Sequence, residues 1–140
     1  MLIPSVLLIE DDSIDAEDVK RAFRNHKIAN PLVHVEDGIS ALEVLRGKPG
    51  IPPLPKPYLV LLDINLPRMN GLEFLRALRQ DPTLPRTVVF VLTTLTDPKD
   101  RAYAYKEHIA GYILKQNVGP DFMNAIRLLN DYQLLVVLPD

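Results

Sequence analysis

The chain has 140 residues, 47% hydrophobic and 24% charged, with a formal net charge of −2 and no cysteine. That is enough chain to bury a core in one domain, and it leaves no disulfide framework and no thiolate metal site. No Lys/Arg block offers a footprint for nucleic acid, no run of about twenty apolar residues reads as a membrane span, and the start Met1-Leu2-Ile3-Pro4 lacks the features of a signal peptide, so the expected location is the cytoplasm, with no nucleic-acid or membrane partner.

In chain order, the pattern switches repeatedly between a short apolar run and an amphipathic segment. Ser5 to Ile9 is a continuous apolar run that ends in Glu10-Asp11-Asp12. Asp12 or Ser13 then caps a helix on which Ala16, Val19, Ala22 and Phe23 recur at helical spacing. Pro31 to Glu36 is a weaker, more alternating strand, followed by a short helix carrying Ala41, Leu42 and Leu45. Lys48 to Lys56 holds four of the thirteen prolines, with Pro57 adjoining, and reads as a stiff, extended loop. Tyr58 to Leu62 is apolar and ends at Asp63; Leu72, Leu75 and Leu78 mark a third helix. Thr87 to Leu92 ends at Thr93. Asp97-Pro98 starts a fourth helix, acid as cap and proline in the first turn, with a thin apolar face of Ala102, Tyr105 and Ile109. Gly111 to Leu114 ends at Lys115, and Phe122, Ile126 and Leu129 mark a fifth helix. The apolar tail, Leu134 to Leu138, needs cover from its own domain or from a second subunit. Runs apolar on both faces that alternate with helices predict an α/β domain with a parallel sheet and helices on both sides.

In such sheets ligands bind outside the carboxyl ends of the strands. Those ends carry Glu10-Asp11-Asp12, Asp63, Thr93-Thr94 and Lys115. Carboxylates brought together repel unless a cation joins them, and oxygen donors without His or Cys select a hard ion such as Mg²⁺ or Ca²⁺. One carboxylate can also serve as nucleophile toward a phosphoryl group, whose charge the ion and Lys115 would neutralise while the Thr93 hydroxyl hydrogen-bonds an oxygen. Each motif alone has a plainer reading: the acids as helix caps, Asp63 as a turn starter before Pro67, Thr93 and Thr94 as spacers, Lys115 as a solvated strand end, Tyr112 as core. His26, His34 and His108 read as surface or packing residues.

Together the motifs Leu8-Ile9-Glu10-Asp11-Asp12, Leu61 to Gly71 (LLDINLPRMNG), Val91-Leu92-Thr93-Thr94 and Gly111-Tyr112-Ile113-Leu114-Lys115 resemble, in order and spacing, the receiver domains of response regulators. The resemblance spans nearly the whole chain. It implies a flavodoxin-like, doubly wound sheet of five parallel strands in the order 2-1-3-4-5 with five helices, a single receiver domain over residues 1–140 in which 134–140 form an apolar extension. It also implies that Asp63 is the phosphoacceptor, and that Mg²⁺, for which Mn²⁺ can substitute, is bound by the carboxylates of Asp11 and Asp63 and the backbone carbonyl of Asn65, with Glu10 acting directly or through water. Thr93 and Lys115 would contact the phosphoryl oxygens and Tyr112 would be the switch aromatic. The partner would be a sensor histidine kinase or a phosphotransfer protein, the output a partner-binding or dimerisation surface. The proline-rich loop, Thr93-Thr94, the missing output domain and the Leu138-Pro139 tail look like the phytochrome-associated regulators, which makes a phytochrome-type kinase the expected partner.

Gln116 stands where the family usually has proline, and Thr94 where it often has a smaller residue. Leu95 is apolar where the family tunes hydrolysis, which predicts a long-lived phosphoryl group. A phosphatase of the haloacid-dehalogenase type would need an acid two residues beyond its nucleophile, and Asn65 stands there. The expectation is therefore a phosphoacceptor that only transfers to itself and slowly dephosphorylates, rather than a turnover enzyme. The rival readings are a docking module that is never phosphorylated and a flavin-binding protein of the same architecture, although no Ser/Thr/Gly-rich phosphate loop follows the first strand.

Overall fold

A strand with apolar side chains on both faces can lie only between two layers, and four segments of this chain meet that condition. In the computed structural model, which describes residues 5–25, 30–52, 54–55, 58–84, 87–93 and 97–114, they form β1 (Ser5–Ile9), β3 (Tyr58–Leu62), β4 (Val88–Thr93) and β5 (Gly111–Leu114), with β2 (Leu32–Val35) at an edge. All pairings are parallel and the strand order is 2-1-3-4-5, as the flavodoxin-like reading requires.

Alternate residues of β1 serve opposite layers. Leu7 and Ile9 join the cluster built with α2 (Gly38–Arg46), α3 (Gly71–Gln80) and Ala104 of α4 (Pro98–Lys106). Val6 and Leu8 join the one built with Ala16, Val19, Ala22 and Phe23 of α1 (Ser13–Asn25). Those four α1 residues are the apolar set expected from its spacing, and all are buried. Four helices fall among the described residues; the expected fifth helix and the apolar tail lie outside them.

Helix starts are set by side-chain oxygens that satisfy otherwise unpaired first-turn amides. Asp12, not Ser13, caps α1: its Oδ1 accepts from the amides of Ile14 at 2.8 Å and Asp15 at 3.1 Å. Asp37 accepts from the amide of Ser40 at 2.7 Å, and Asn70 and Glu73 form a reciprocal capping box on α3. Asp97 caps α4, with Pro98 in the first turn as expected.

Two expectations need correction. The buried residue of α4 is Ala104, while Ala102 is exposed and Tyr105 is 50% exposed; Ile109 is buried, but beyond the helix. A helix with so few apolar residues supports more than one phase, and packing against α3 and the sheet selects the one that presents a small side chain. The loop before β3 is not uniformly extended: a turn at its start donates the Ile51 amide to the Lys48 carbonyl at 3.1 Å, with Gly50 at φ 88. Glycine tolerates that left-handed backbone, and Leu54 then reaches back into the core at 7% exposure.

Candidate functional site

Parallel strands point their carboxyl ends the same way, so the adjacency of β1, β3 and β4 brings their final residues to one sheet edge. The ladder runs one step past the strands: Asp63 donates its amide to the Ile9 carbonyl at 3.0 Å. Asp63 is thereby fixed beside the Glu10-Asp11 step. Glu10 (1% exposed) and Asp63 (8%) are buried and Asp11 is exposed, and one carboxylate oxygen from each lies within 4.8 Å of the other two. Among the described residues this is where three such groups converge.

The segment after Asp63 is held in a tight turn. Asn65 donates its amide to Asp63 Oδ1 at 3.0 Å, which orients the carboxylate. Gly71 donates to the Ile64 carbonyl at 2.7 Å, and a Cβ there would come within 2.5 Å of Ile64 Cα and 2.8 Å of the Asp63 carbonyl oxygen. Only a residue without Cβ allows α3 to start that close to the acid. Arg68 takes φ 64, and its guanidinium lies 3.5 Å from the carboxylate of Asp37 at the start of α2. Sequence reasoning missed this tie between the β3–α3 loop and α2, since nothing in the spacing of Asp37 and Arg68 brings them together before the fold is known.

Thr93 ends β4 fully buried, paired in register with Leu114 of β5. Tyr112 is half-buried on β5, in register with Val91. Its phenol is pushed above the usual tyrosine pKa, first by burial and then by Asp100, with Arg101 opposing and Asp97 and Asp63 adding to the rise. The ring thus lies within electrostatic reach of both Asp63 and the start of α4. Lys115, Thr94, Leu95 and Gln116 lie outside the described residues.

A second residue missed in the sequence is His34. Read as a surface or packing residue, it places its Nε2 2.7 Å from the backbone carbonyl oxygen of Glu10. The available signal was topological: His34 sits on the strand that the 2-1-3-4-5 order puts beside β1.

The donor set suits a divalent cation. All three side chains offer oxygen, which selects hard ions. With one oxygen from each within 4.8 Å of the others, the three carboxylates would hold one such ion. Their mutual repulsion, two of them out of water, favours a cation between them.

Comparison with known proteins agrees with this geometry. A family model described as response regulator receiver domain matches residues 6–127. The response regulator Rcp1 of Synechocystis sp. is 32% identical over 135 residues, covering 96% of this chain and 92% of that protein. The phosphorylated cyanobacterial phytochrome response regulator RcpA superposes with a TM-score of 0.89 at 30% identity, covering 99% of this chain and 100% of that one. The Mn²⁺-bound form of Rcp1 gives 0.86 at 31% identity, covering 98% and 99%.

Proposed function

This chain belongs to the response regulator receiver domain family, and we propose that it accepts a phosphoryl group on Asp63 in a Mg²⁺-dependent reaction and uses the change to switch a surface for a partner or for a second copy of itself. The observation that carries this reading is the convergence of Glu10, Asp11 and Asp63 at the carboxyl edge of the sheet.

Asp63 is the nucleophile. Its carboxylate attacks the phosphorus of a phosphohistidine; the new P–O bond forms as the P–N bond breaks, and the imidazole nitrogen leaves with the electron pair. The Asn65 amide on Oδ1 holds the carboxylate in place for that attack. Asp11, Asp63 and the Asn65 carbonyl, with Glu10 direct or through water, would hold Mg²⁺, which would supply charge neutralisation for the phosphoryl oxygens; the same donors would take Mn²⁺, a reading supported by the Mn²⁺-bound form of Rcp1. Thr93 hydrogen-bonds a phosphoryl oxygen, Lys115 pairs with another, and Tyr112 responds to the added charge. The chain is a phosphoacceptor in the cytoplasm, not a turnover enzyme, because Asn65 offers no acid to protonate a leaving group. Among the described residues no helix is long and apolar enough to cross a membrane.

The donor is a sensor histidine kinase of the phytochrome type, or a phosphotransfer protein, a reading supported by the phytochrome regulator RcpA among the solved structures. Residues 1–140 act as one receiver domain whose 134–140 extension contributes to a homodimer, and no nucleic acid takes part. Intact and native mass spectrometry after incubation with acetyl phosphate and Mg²⁺ tests the whole reading. The expected result is one phosphoryl adduct on the wild type, absent from Asp63→Asn, lasting minutes or longer, on a dimer. No adduct on a folded wild type overturns phosphoacceptance. Decay within seconds removes the role of Leu95, and a monomer in both states removes the role of the tail.

A further inference from the structure

We propose that His34 is a positioning residue for the cation site: its ring fixes the Glu10–Asp11 peptide, and through it the two acids that this peptide joins. The inference deepens the proposed function and rests on it. A carbonyl oxygen can only accept, so the 2.7 Å contact requires that His34 Nε2 carry the proton and donate to Glu10 O.

The geometry shows why a side chain is needed there. Glu10 continues the parallel ladder on its amide side, donating to the Val35 carbonyl at 3.0 Å. In a continuing ladder its own carbonyl would next take the amide of Asp37, two residues on. β2 has ended at Val35, however, and Asp37 has turned away to cap α2, its carboxylate on the amide of Ser40 at 2.7 Å. The His34 ring, from a residue paired with Leu8 in the ladder, leans along the strand direction and takes the vacated place. Both polar groups of Glu10's backbone are then held by the edge strand.

That matters at this one residue. The Glu10 carbonyl and the Asp11 amide belong to a single planar unit. Rotating it would swing the Glu10 and Asp11 carboxylates relative to Asp63, and three oxygens within 4.8 Å leave little room for such a swing. Hydrogen bonds that orient ligands but touch no metal commonly change metal affinity by about 10- to 100-fold when removed. His34 acts through the backbone rather than on a ligand atom, so the lower end applies.

Titration calorimetry with Mn²⁺ and with Mg²⁺, on wild type, His34→Leu and His34→Gln, tests this. Leucine fills a half-buried strand position without a donor; glutamine returns an N–H donor at similar reach. The expected result is affinity about tenfold weaker in His34→Leu and largely restored in His34→Gln, with the Asp11 amide ¹⁵N shift displaced in the first and recovered in the second. Equal affinity in all three proteins overturns the proposal. So does equal weakening in both variants together with a lowered metal-free melting temperature, since that marks a packing role. A wild type that binds neither ion overturns the cation reading and this inference with it, whereas binding by wild type and both variants alike removes His34 alone.

Discussion

Tyr112 and Asp63 are linked by charge. The Tyr112 phenol lies above its ordinary pKa of 10.0, and Asp63 is among the causes, behind burial, Asp100 and Asp97. A phosphoryl group on Asp63 adds negative charge at a position the phenol already senses, and negative charge disfavours phenolate. In a ¹³Cζ-tyrosine NMR titration, with Tyr112→Phe for assignment, the Tyr112 signal should titrate above pH 10 and move further up when beryllium fluoride is added to protein already holding Mg²⁺, so that the ion's charge is common to both states. No movement would detach the ring from the phosphoryl site. The linkage sign follows: a neutral acid with a raised folded-state pKa contributes stability below the unfolded value near 10, and loses it as pH rises through the folded value. Tyr112→Phe should therefore flatten the alkaline loss of stability.

At the scale of elements, α4 is attached mainly at its carboxyl end. It buries Ala104 alone among its own residues, but Arg79 of α3 clasps the backbone just beyond it. The Arg79 guanidinium donates Nε to the Glu107 carbonyl at 2.7 Å, one terminal nitrogen to Thr87 O at 2.6 Å and the other to His108 O at 3.0 Å. Burial lowers the pKa of this guanidinium from its ordinary value, with Glu107 opposing. The planar fork joins the end of α3, the entry to β4 and the end of α4, which a single-headed lysine cannot do. His108 adopts φ 60 at this junction, a strained backbone for a residue with a Cβ. Arg79→Met should lower the unfolding free energy by about 1–3 kcal/mol, because it strips donors from three carbonyls. Urea denaturation would show the drop, and hydrogen exchange should quicken at the end of α4 while β1 and β3 stay protected. Uniform exchange across the chain would mean that Arg79 acts on the whole core rather than on this joint.

Four of the five strands were legible because each carries an uninterrupted apolar run, and a run with no polar face has one kind of home; β2, with His34 in its middle, was legible only as a weaker alternation. The α4 phase was not, since three scattered apolar residues do not define a face. His34 and the Asp37–Arg68 tie were hidden for a different reason: both are contacts between segments far apart in sequence, made by polar groups that are equally at ease in water. The three acids were legible as chemistry before their geometry was known, because nothing in the core asks for carboxylates at strand ends.

That last point sets a conflict within the whole molecule. Folding buries Glu10 and Asp63 and brings both beside Asp11, so like charges separated in the unfolded chain are pressed together. Like charges set this close work against the fold to the extent that no positive charge stands beside them. Asp63→Asn removes one charge and keeps an oxygen able to accept from the Asn65 amide, which Asp63 Oδ1 now does at 3.0 Å. In chelator, that variant should be more stable than wild type by about 1 kcal/mol, or about 3 °C in melting temperature for a chain of this size. Mg²⁺ should raise the wild-type melting temperature as it binds the folded state alone, and raise that of Asp63→Asn less, closing or reversing the gap. Differential scanning calorimetry in chelator and across a Mg²⁺ series measures both effects. If Asp63→Asn melts below wild type in chelator, the acids are not in net repulsion and hydrogen bonds around Asp63 outweigh its charge. If Mg²⁺ shifts both proteins equally, the ion binds elsewhere.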